Sequence, residues 1–272
     1  MFSPPSPTVH AMHIVVCIKQ VPDTAEVRID PERGTLVREG VESILNPLDT
    51  HAVEAAVVLR ERLGGLVTAL SMGPPQAEAA LREAVARGCD RAILLTDRAF
   101  SGADTWATSY ALARAIEKLA DADLVLCGKQ AIDGDTAQVG PGIAAHLGRP
   151  QAAYVRRIPA ADDAALSVEC LTDYGAEVLR VPLPAVLTVL KDLNVPRLPS
   201  LESQMRARRC AVERWGAGDI GGEPAELGLG GSPTRVVRVF TPPGRGKCVM
   251  WEGAAEFSAA ELAETLKREG FV

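Results

Sequence analysis

Four short apolar runs, at 13–19, 66–72, 91–96 and 123–127, are separated by stretches in which apolar residues recur at helical spacing. Strands alternating with helices in this way belong to an α/β fold, a doubly wound and mostly parallel sheet covered by helices on both faces. The first intervening helix opens at Asn46-Pro47, an N-cap residue followed by proline at the first helical position. It sets Leu48, Ala52, Ala55, Ala56, Leu59 and Leu63 on one face. A second runs from Gly73-Pro74 to Gly88, and a third from 103 to 119. Right-handed crossovers bring every strand end to the same edge. The loops KQVPDT, SMGPP, TDRAFSGADT and GKQAIDGDT therefore converge on one polar rim, the expected binding site.

Beyond Pro150 the pattern changes. Runs at 152–158, 166–171, 176–182 and 185–190, with TDYGA as a tight turn, predict further strands and an antiparallel hairpin that extends the sheet. From Lys191 the chain is punctuated by proline and then basic, and from 215 to 272 it is rich in glycine. That last part reads as an arm with one short strand and one helix, the helix spanning 258–269 with Ser258 and Glu261 as a capping box and Gly270 as its stop. The four expected segments are a disordered extension at 1–11, an α/β domain at 12–190, a basic segment at 191–214 and the arm at 215–272.

Several functions are disfavoured at the outset. A formal net charge of −6 argues against a sequence-independent nucleic-acid binder, which needs a basic face. The cysteines at 17, 89, 127, 170, 210 and 248 form no CxxC pair and suit a reducing compartment, the cytoplasm by default. The histidines at 10, 13, 51 and 146 show no metal-ligand spacing, so no metal is expected. No stretch approaches the ~18 consecutive apolar residues of a membrane span. A formal GxGxxG at Gly216, Gly218 and Gly221 lacks a buried strand before it and a good helix start after it, and GRGK at 244–247 lacks the rest of a phosphate loop. No nucleophile elbow or catalytic dyad appears.

The richest stretch is 123–148, DLVLCGKQAIDGDTAQVGPGIAAHLG: a buried strand, a polar glycine-bearing turn and a helix start. Free amides at such a helix start suit phosphate, and Gly134, Gly140 and Gly142 permit close backbone approach. Asp135 and Gln138 equally resemble a capping box, although Pro141 would push the regular helix toward Val139. The acidic pair Asp133 and Asp135 would repel phosphate unless it faces ribose, caps amides or balances Lys129.

Taken together, the opening VVCIKQVPDTAEVRID, the helix start NPLDTHAVEAAV, SMGPPQAEAALREA, GKQAIDGDTAQVGP and LPAVLTVLKDLNVPRLPSLESQMRAR resemble the β subunit of electron transfer flavoprotein, over about 12–209. The resemblance implies a Rossmann-like domain of the adenine-nucleotide-binding type. It also implies a heterodimer with an α subunit that holds the redox FAD, and an arm that docks on that subunit. Carried onto this chain, the β-subunit pocket comprises Cys17, Asn46, Pro47, Leu48, Asp49, Met72 and the stretch 128–139, including Gly128, Lys129, Gln130, Asp133, Gly134, Asp135, Thr136, Gln138 and Val139. Ordinary members hold AMP there.

TDRAFSGADTWATS and IDGDTAQVGP resemble the subgroup that binds a second FAD in this pocket and splits a hydride pair into one uphill and one downhill electron. In that case Ser101, Asp104, Thr105 and Thr108 would add polar groups along the flavin half, although Asp104 and Thr105 are also an ordinary helix cap. The implied donor is NADH, with any oxidoreductase activity confined to the complex, and the implied acceptor is an acyl-CoA dehydrogenase-type or quinone-reductase partner. Leu201 lies where the family presents an anchoring leucine to that partner, and is equally readable as a plain linker residue. Arg206, Arg208 and Arg209 stand where many relatives carry lysines. A stand-alone nucleotide hydrolase or transferase on a similar sheet is the remaining alternative.

Overall fold

A computed structural model describes residues 11–23, 28–29, 36–37, 43–237 and 248–272. All but the last residue of the expected extension at 1–11, and the basic turn at 244–247, lie outside the described residues.

The elements follow in order: β1 (Met12–Cys17), β2 (Gln20–Pro22), β3 (Arg28–Ile29), β4 (Leu36–Val37), β5 (Ser43–Leu45), α1 (Pro47–Leu63), β6 (Gly65–Met72), α2 (Glu78–Arg87), β7 (Arg91–Leu95), α3 (Thr105–Leu119), β8 (Leu124–Gly128) and α4 (Val139–Leu147). Then come β9 (Gln151–Ala161), β10 (Ala165–Thr172), β11 (Gly175–Pro182), β12 (Ala185–Val189), α5 (Leu201–Arg209), β13 (Glu213–Trp215), α6 (Ala217–Ile220) and α7 (Ala255–Arg268). Nine strands form one sheet in the order β11-β10-β9-β12-β8-β1-β6-β7-β13, with β2–β5 and β3–β4 as small antiparallel pairs. β1 lies at its heart, parallel to β6 on one side and to β8 on the other.

Every residue of β1 is buried, as a central strand covered on both faces requires. Its side chains alternate between two cores: Ile14 and Val16 enter the layer with α1 and α2, while Val15 and Cys17 enter the layer with α3 and α4. The expected face of α1 is buried at Ala52, Ala55, Ala56 and Leu59, and so are Val53, Glu54 and Val57. This helix is covered on more than its sheet side because the chain returns over it near 194–197. Asn194 donates its side-chain amide to the His51 carbonyl at 2.9 Å, and Arg197 forks onto Glu54 and Glu61.

The hairpin expected beyond Pro150 is β10 and β11, antiparallel and in register from Ala165↔Pro182 to Thr172↔Gly175. β9 joins it to the main sheet, antiparallel to β10 and parallel to β12.

Several helix starts differ from expectation: α2 opens at Glu78, after a single 3-10 turn at Pro75–Ala77, and not at Gly73-Pro74. Asn46 occupies the N-cap position of α1, but its side chain makes no cap bond and turns to a neighbouring loop instead. α7 begins at Ala255, one turn before Ser258, whose amide donates to the Ala254 carbonyl from inside the helix. Ala and Glu, both good helix formers, extend it backward and dissolve the Ser258–Glu261 capping box. Across the expected boundary at 214/215, β13 adds a parallel edge strand beside β7, and in the expected arm Ile220 and Leu227 are buried in the α3/α4 core. The residues AVERW thus contain a strand after all, although an exposed edge one, and the four-residue α6 that follows is too short for a dinucleotide fingerprint. Among the described residues, no helix is long and apolar enough to cross a membrane.

Candidate functional site

The loops after β1, β6, β7 and β8 meet at the carboxyl edge of the sheet, and their side chains stitch them together. Asn46 is fully buried and staples the glycine-bearing loop. Its amide donates to the Gln130 carbonyl at 2.9 Å, and its side-chain oxygen accepts from the Ile132 amide at 3.2 Å. The cap bond is forgone for this purpose.

Three residues on, Asp49 accepts from the Lys19 amide at 2.8 Å and lies directly beneath Gly128. Burial pushes its carboxyl up to about 7, against the opposing pull of hydrogen bonds from the Asn46 side chain and the Lys19 and Gly128 amides. Cys17 and Cys127 stand opposite each other on β1 and β8, both buried and free. Hydrogen bonding to Cys17, followed by burial, holds the Cys127 thiol well above its ordinary value and so keeps that thiol protonated.

The loop between β8 and α4 is strained where it turns. Asp135 and Ala137 have φ of 56° and 57°, left-handed values unusual for residues with a Cβ. Asp135 does not cap α4; its carboxylate accepts from the Gln130 side chain, while the N-cap position falls to Gln138 without a side-chain bond. α4 starts at Val139, where Pro141 requires it. Among the described residues the amides of Ala137, Gln138 and Val139 donate to no protein acceptor, which leaves free donors at a helix head.

Three glycines of the stretch have different surroundings. A Cβ at Gly140 would come within 2.4 Å of Thr188, and one at Gly142 within 2.5 Å of Ser109, so both serve packing. At Gly134 the nearest atom would be Lys19 Nζ at 4.0 Å; that position is open.

Met72 is half-buried against the α3/α4 core, and Pro47 and Leu48 form the first turn of α1. Thr105 Oγ1 lies 3.4 Å from Thr136 Oγ1, bringing the head of α3 to the glycine-bearing loop. Asp104 caps α3 through the Ala107 amide at 3.1 Å and also accepts from the amide and hydroxyl of Thr234. Desolvation opposes its ionisation, yet the Thr234 and Ala107 hydrogen bonds outweigh it and keep the carboxyl below the usual range. Ser101 offers its carbonyl to the Leu229 amide, and Thr108 lies one turn into α3, its amide bonded to the Asp104 carbonyl. Lys129 does not balance the acidic pair; its ammonium lies over the Tyr154 ring, 5.3 Å from the centroid. That role falls to Lys19, overlooked in the sequence, whose Nζ is 2.8 Å from both carboxylate oxygens of Asp133. Leu201 stands far along the chain from these loops, 76% exposed at the first position of α5.

An electron transfer flavoprotein domain model matches residues 33–220. The chain is 51% identical over 261 residues to the electron transfer flavoprotein subunit β of Clostridium acetobutylicum, covering 96% of this chain and 100% of the relative. It is 49% identical over 263 residues to the caffeyl-CoA reductase–Etf complex subunit CarD of Acetobacterium woodii, with 96% and 100% covered. Against Protein FixA of Bradyrhizobium diazoefficiens, identity is 47% over 262 residues, with 94% and 91% covered.

Proposed function

Because the chain belongs to the electron transfer flavoprotein family as a β subunit, we propose that it works as half of a heterodimer with an α subunit and binds FAD on its own rim. The observation that carries this is the loop between β8 and α4: three free amides at a helix head beside an open Gly134. These features fit a pyrophosphate, which main-chain donors hold best where the backbone can come close. The third loop, reaching Thr136 through Thr105, lengthens the cradle beyond what a mononucleotide needs, with Ser101 and Thr108 along the same segment and Asp104 bracing it against the arm. The bound flavin would supply the hydride and single-electron chemistry. The chain's residues would orient it, support it from beneath and fix the charge near it.

In this reading the heterodimer would be a bifurcating flavoprotein that draws on NADH and, with the FAD of the α subunit, would serve a dehydrogenase or reductase in the cytoplasm. The relative named as a subunit of a caffeyl-CoA reductase–Etf complex supports an acyl-CoA type of acceptor. The second reading keeps the heterodimer but puts AMP in the pocket as a structural ligand.

Denaturing the purified heterodimer and weighing the released nucleotides separates the two. Two FAD per heterodimer is expected; one FAD with one AMP supports the second reading. Gly134→Val provides the control, since the open space at that position lets the variant fold. Occupancy of the β site should fall by about tenfold, ~1.4 kcal/mol, with the α flavin retained. Unchanged content would remove the site.

Docking is assigned to the segment that leads into α5. Val195, Leu198 and Leu201 are 89%, 87% and 76% exposed, yet the backbone carrying them is pinned: Arg87 donates to the Arg197 carbonyl at 3.0 Å, and Arg82 to the carbonyls of Ala207 and Cys210, both at 2.9 Å. Rigid presentation of an apolar side chain lowers the ordering cost of association. Leu201→Ala should slow electron transfer to the dehydrogenase by about tenfold through weaker docking, with flavin content unchanged. Stopped-flow rates against acceptor concentration test this. Equal rates would reduce Leu201 to a linker residue.

A further inference from the structure

A nucleotide phosphate arriving at the loop 132–136 meets two carboxylates within one turn of chain, a poor setting for an anion. Asp135 accepts from the neutral Gln130 side chain, which orients its carboxylate without cancelling the charge, and Asp133 adds a second negative charge that a cation must offset. Lys129, one strand end away, is engaged over Tyr154. Lys19, on the loop after β1, places its ammonium 2.8 Å from each oxygen of Asp133 and over Gly134.

Its backbone is fixed at both ends. The Lys19 amide donates to Asp49 at 2.8 Å, and its carbonyl accepts from the Asn46 amide at 2.9 Å. The same two residues that brace the floor of the rim therefore also aim this side chain. Resting on the nucleotide reading above, we propose that Lys19 is a positioning residue that neutralises Asp133 and so makes an acidic loop able to accept a nucleotide phosphate.

The side chains of Lys19 and Asp133 are 47% and 30% exposed, so as a stabilising ion pair they contribute little. Their effect should appear in binding and not in folding. That separation makes the test clean.

The heterodimer would be prepared with wild-type chain, Lys19→Met, Asp133→Asn and the double variant, and titrated with AMP and with FAD at low and raised salt, with thermal melts in parallel. Lys19→Met should weaken nucleotide binding about tenfold, ~1.4 kcal/mol, at an unchanged melting temperature. Raised salt should shrink the defect, because the bared Asp133 charge is then screened. Asp133→Asn alone should bind as well as wild type or better, and the double variant should recover to within about threefold of wild type.

Wild-type affinity in Lys19→Met, or a double variant as weak as Lys19→Met, would overturn the proposal; the latter would make Lys19 a direct phosphate ligand. A wild-type heterodimer that neither holds nor takes up a nucleotide overturns the rim site along with it. Nucleotide-replete wild type beside an indifferent Lys19→Met overturns this inference alone.

Discussion

Gly128→Ala should destabilise the chain by about 3 kcal/mol or more and empty the nucleotide rim. A Cβ at this position would stand 2.4 Å from Asp49 Oδ1, 2.7 Å from the Leu48 carbonyl carbon and 2.8 Å from the Asp49 amide. Two of these atoms are backbone in the first turn of α1, which is held to the sheet by Ala52, Val53 and Ala56 and cannot retreat cheaply. Displacing Asp49 would also release the Lys19 amide, so the lesion spreads from the floor of the rim to its lip. A urea titration at constant m, together with the nucleotide content of the heterodimer, checks both effects. Gly134→Ala, six residues on and facing open space, should cost less than about 0.5 kcal/mol in the same titration. A near-neutral Gly128→Ala would mean that α1 and β8 are not packed this closely.

The contrast between these two glycines marks what the chain discloses on reading. Strands β1, β6, β7 and β8 were legible because central parallel strands are apolar throughout, and the start of α4 was legible because a proline at 141 admits few alternatives. Local rules cover such features. The Lys19–Asp133 pair joins residues 114 positions apart, and the Asp104–Thr234 contact joins residues 130 apart; no periodicity encodes either. Asn46 and Asp135 were misjudged for a related reason. Each has the composition of a helix cap, but the buried Asn46 side chain goes to the donor and acceptor that the loop at 130–132 leaves in need, and the exposed Asp135, held at a left-handed φ, meets the Gln130 side chain instead. Gly140 and Gly142 do permit a close backbone approach, but what approaches is Thr188 and Ser109, partners contributed by other elements.

The same long-range placement gives Asp49 a titration with consequences for stability. Burial lifts its carboxyl from 3.8 to about 7, so the folded protein retains a proton that the unfolded chain releases. The folded state binds more protons between roughly pH 4 and pH 7, so stability must fall as pH rises across that window and level off above it. The full contribution is about 4 kcal/mol, of which about 2–3 kcal/mol should be lost between pH 5 and pH 8. Carboxylates held below their usual range, such as Asp121 through its hydrogen bond from His13 and Glu78 through Arg214 and Arg82, act with the opposite sign and only in more acid solution.

Asp49→Asn retains an acceptor for the Lys19 amide and removes the titration. Urea midpoints of wild type and Asp49→Asn, taken from pH 5 to pH 8, should therefore converge or cross as pH rises, with the wild type losing ground; all other titrations are common to both proteins and cancel in the difference. A constant difference across the range would mean that the hydrogen bonds from Asn46, Lys19 and Gly128 together defeat desolvation and keep Asp49 ionised throughout. In that case the floor beneath Gly128 carries a permanent negative charge, and the need for a cation at Lys19 on the lip above it becomes greater.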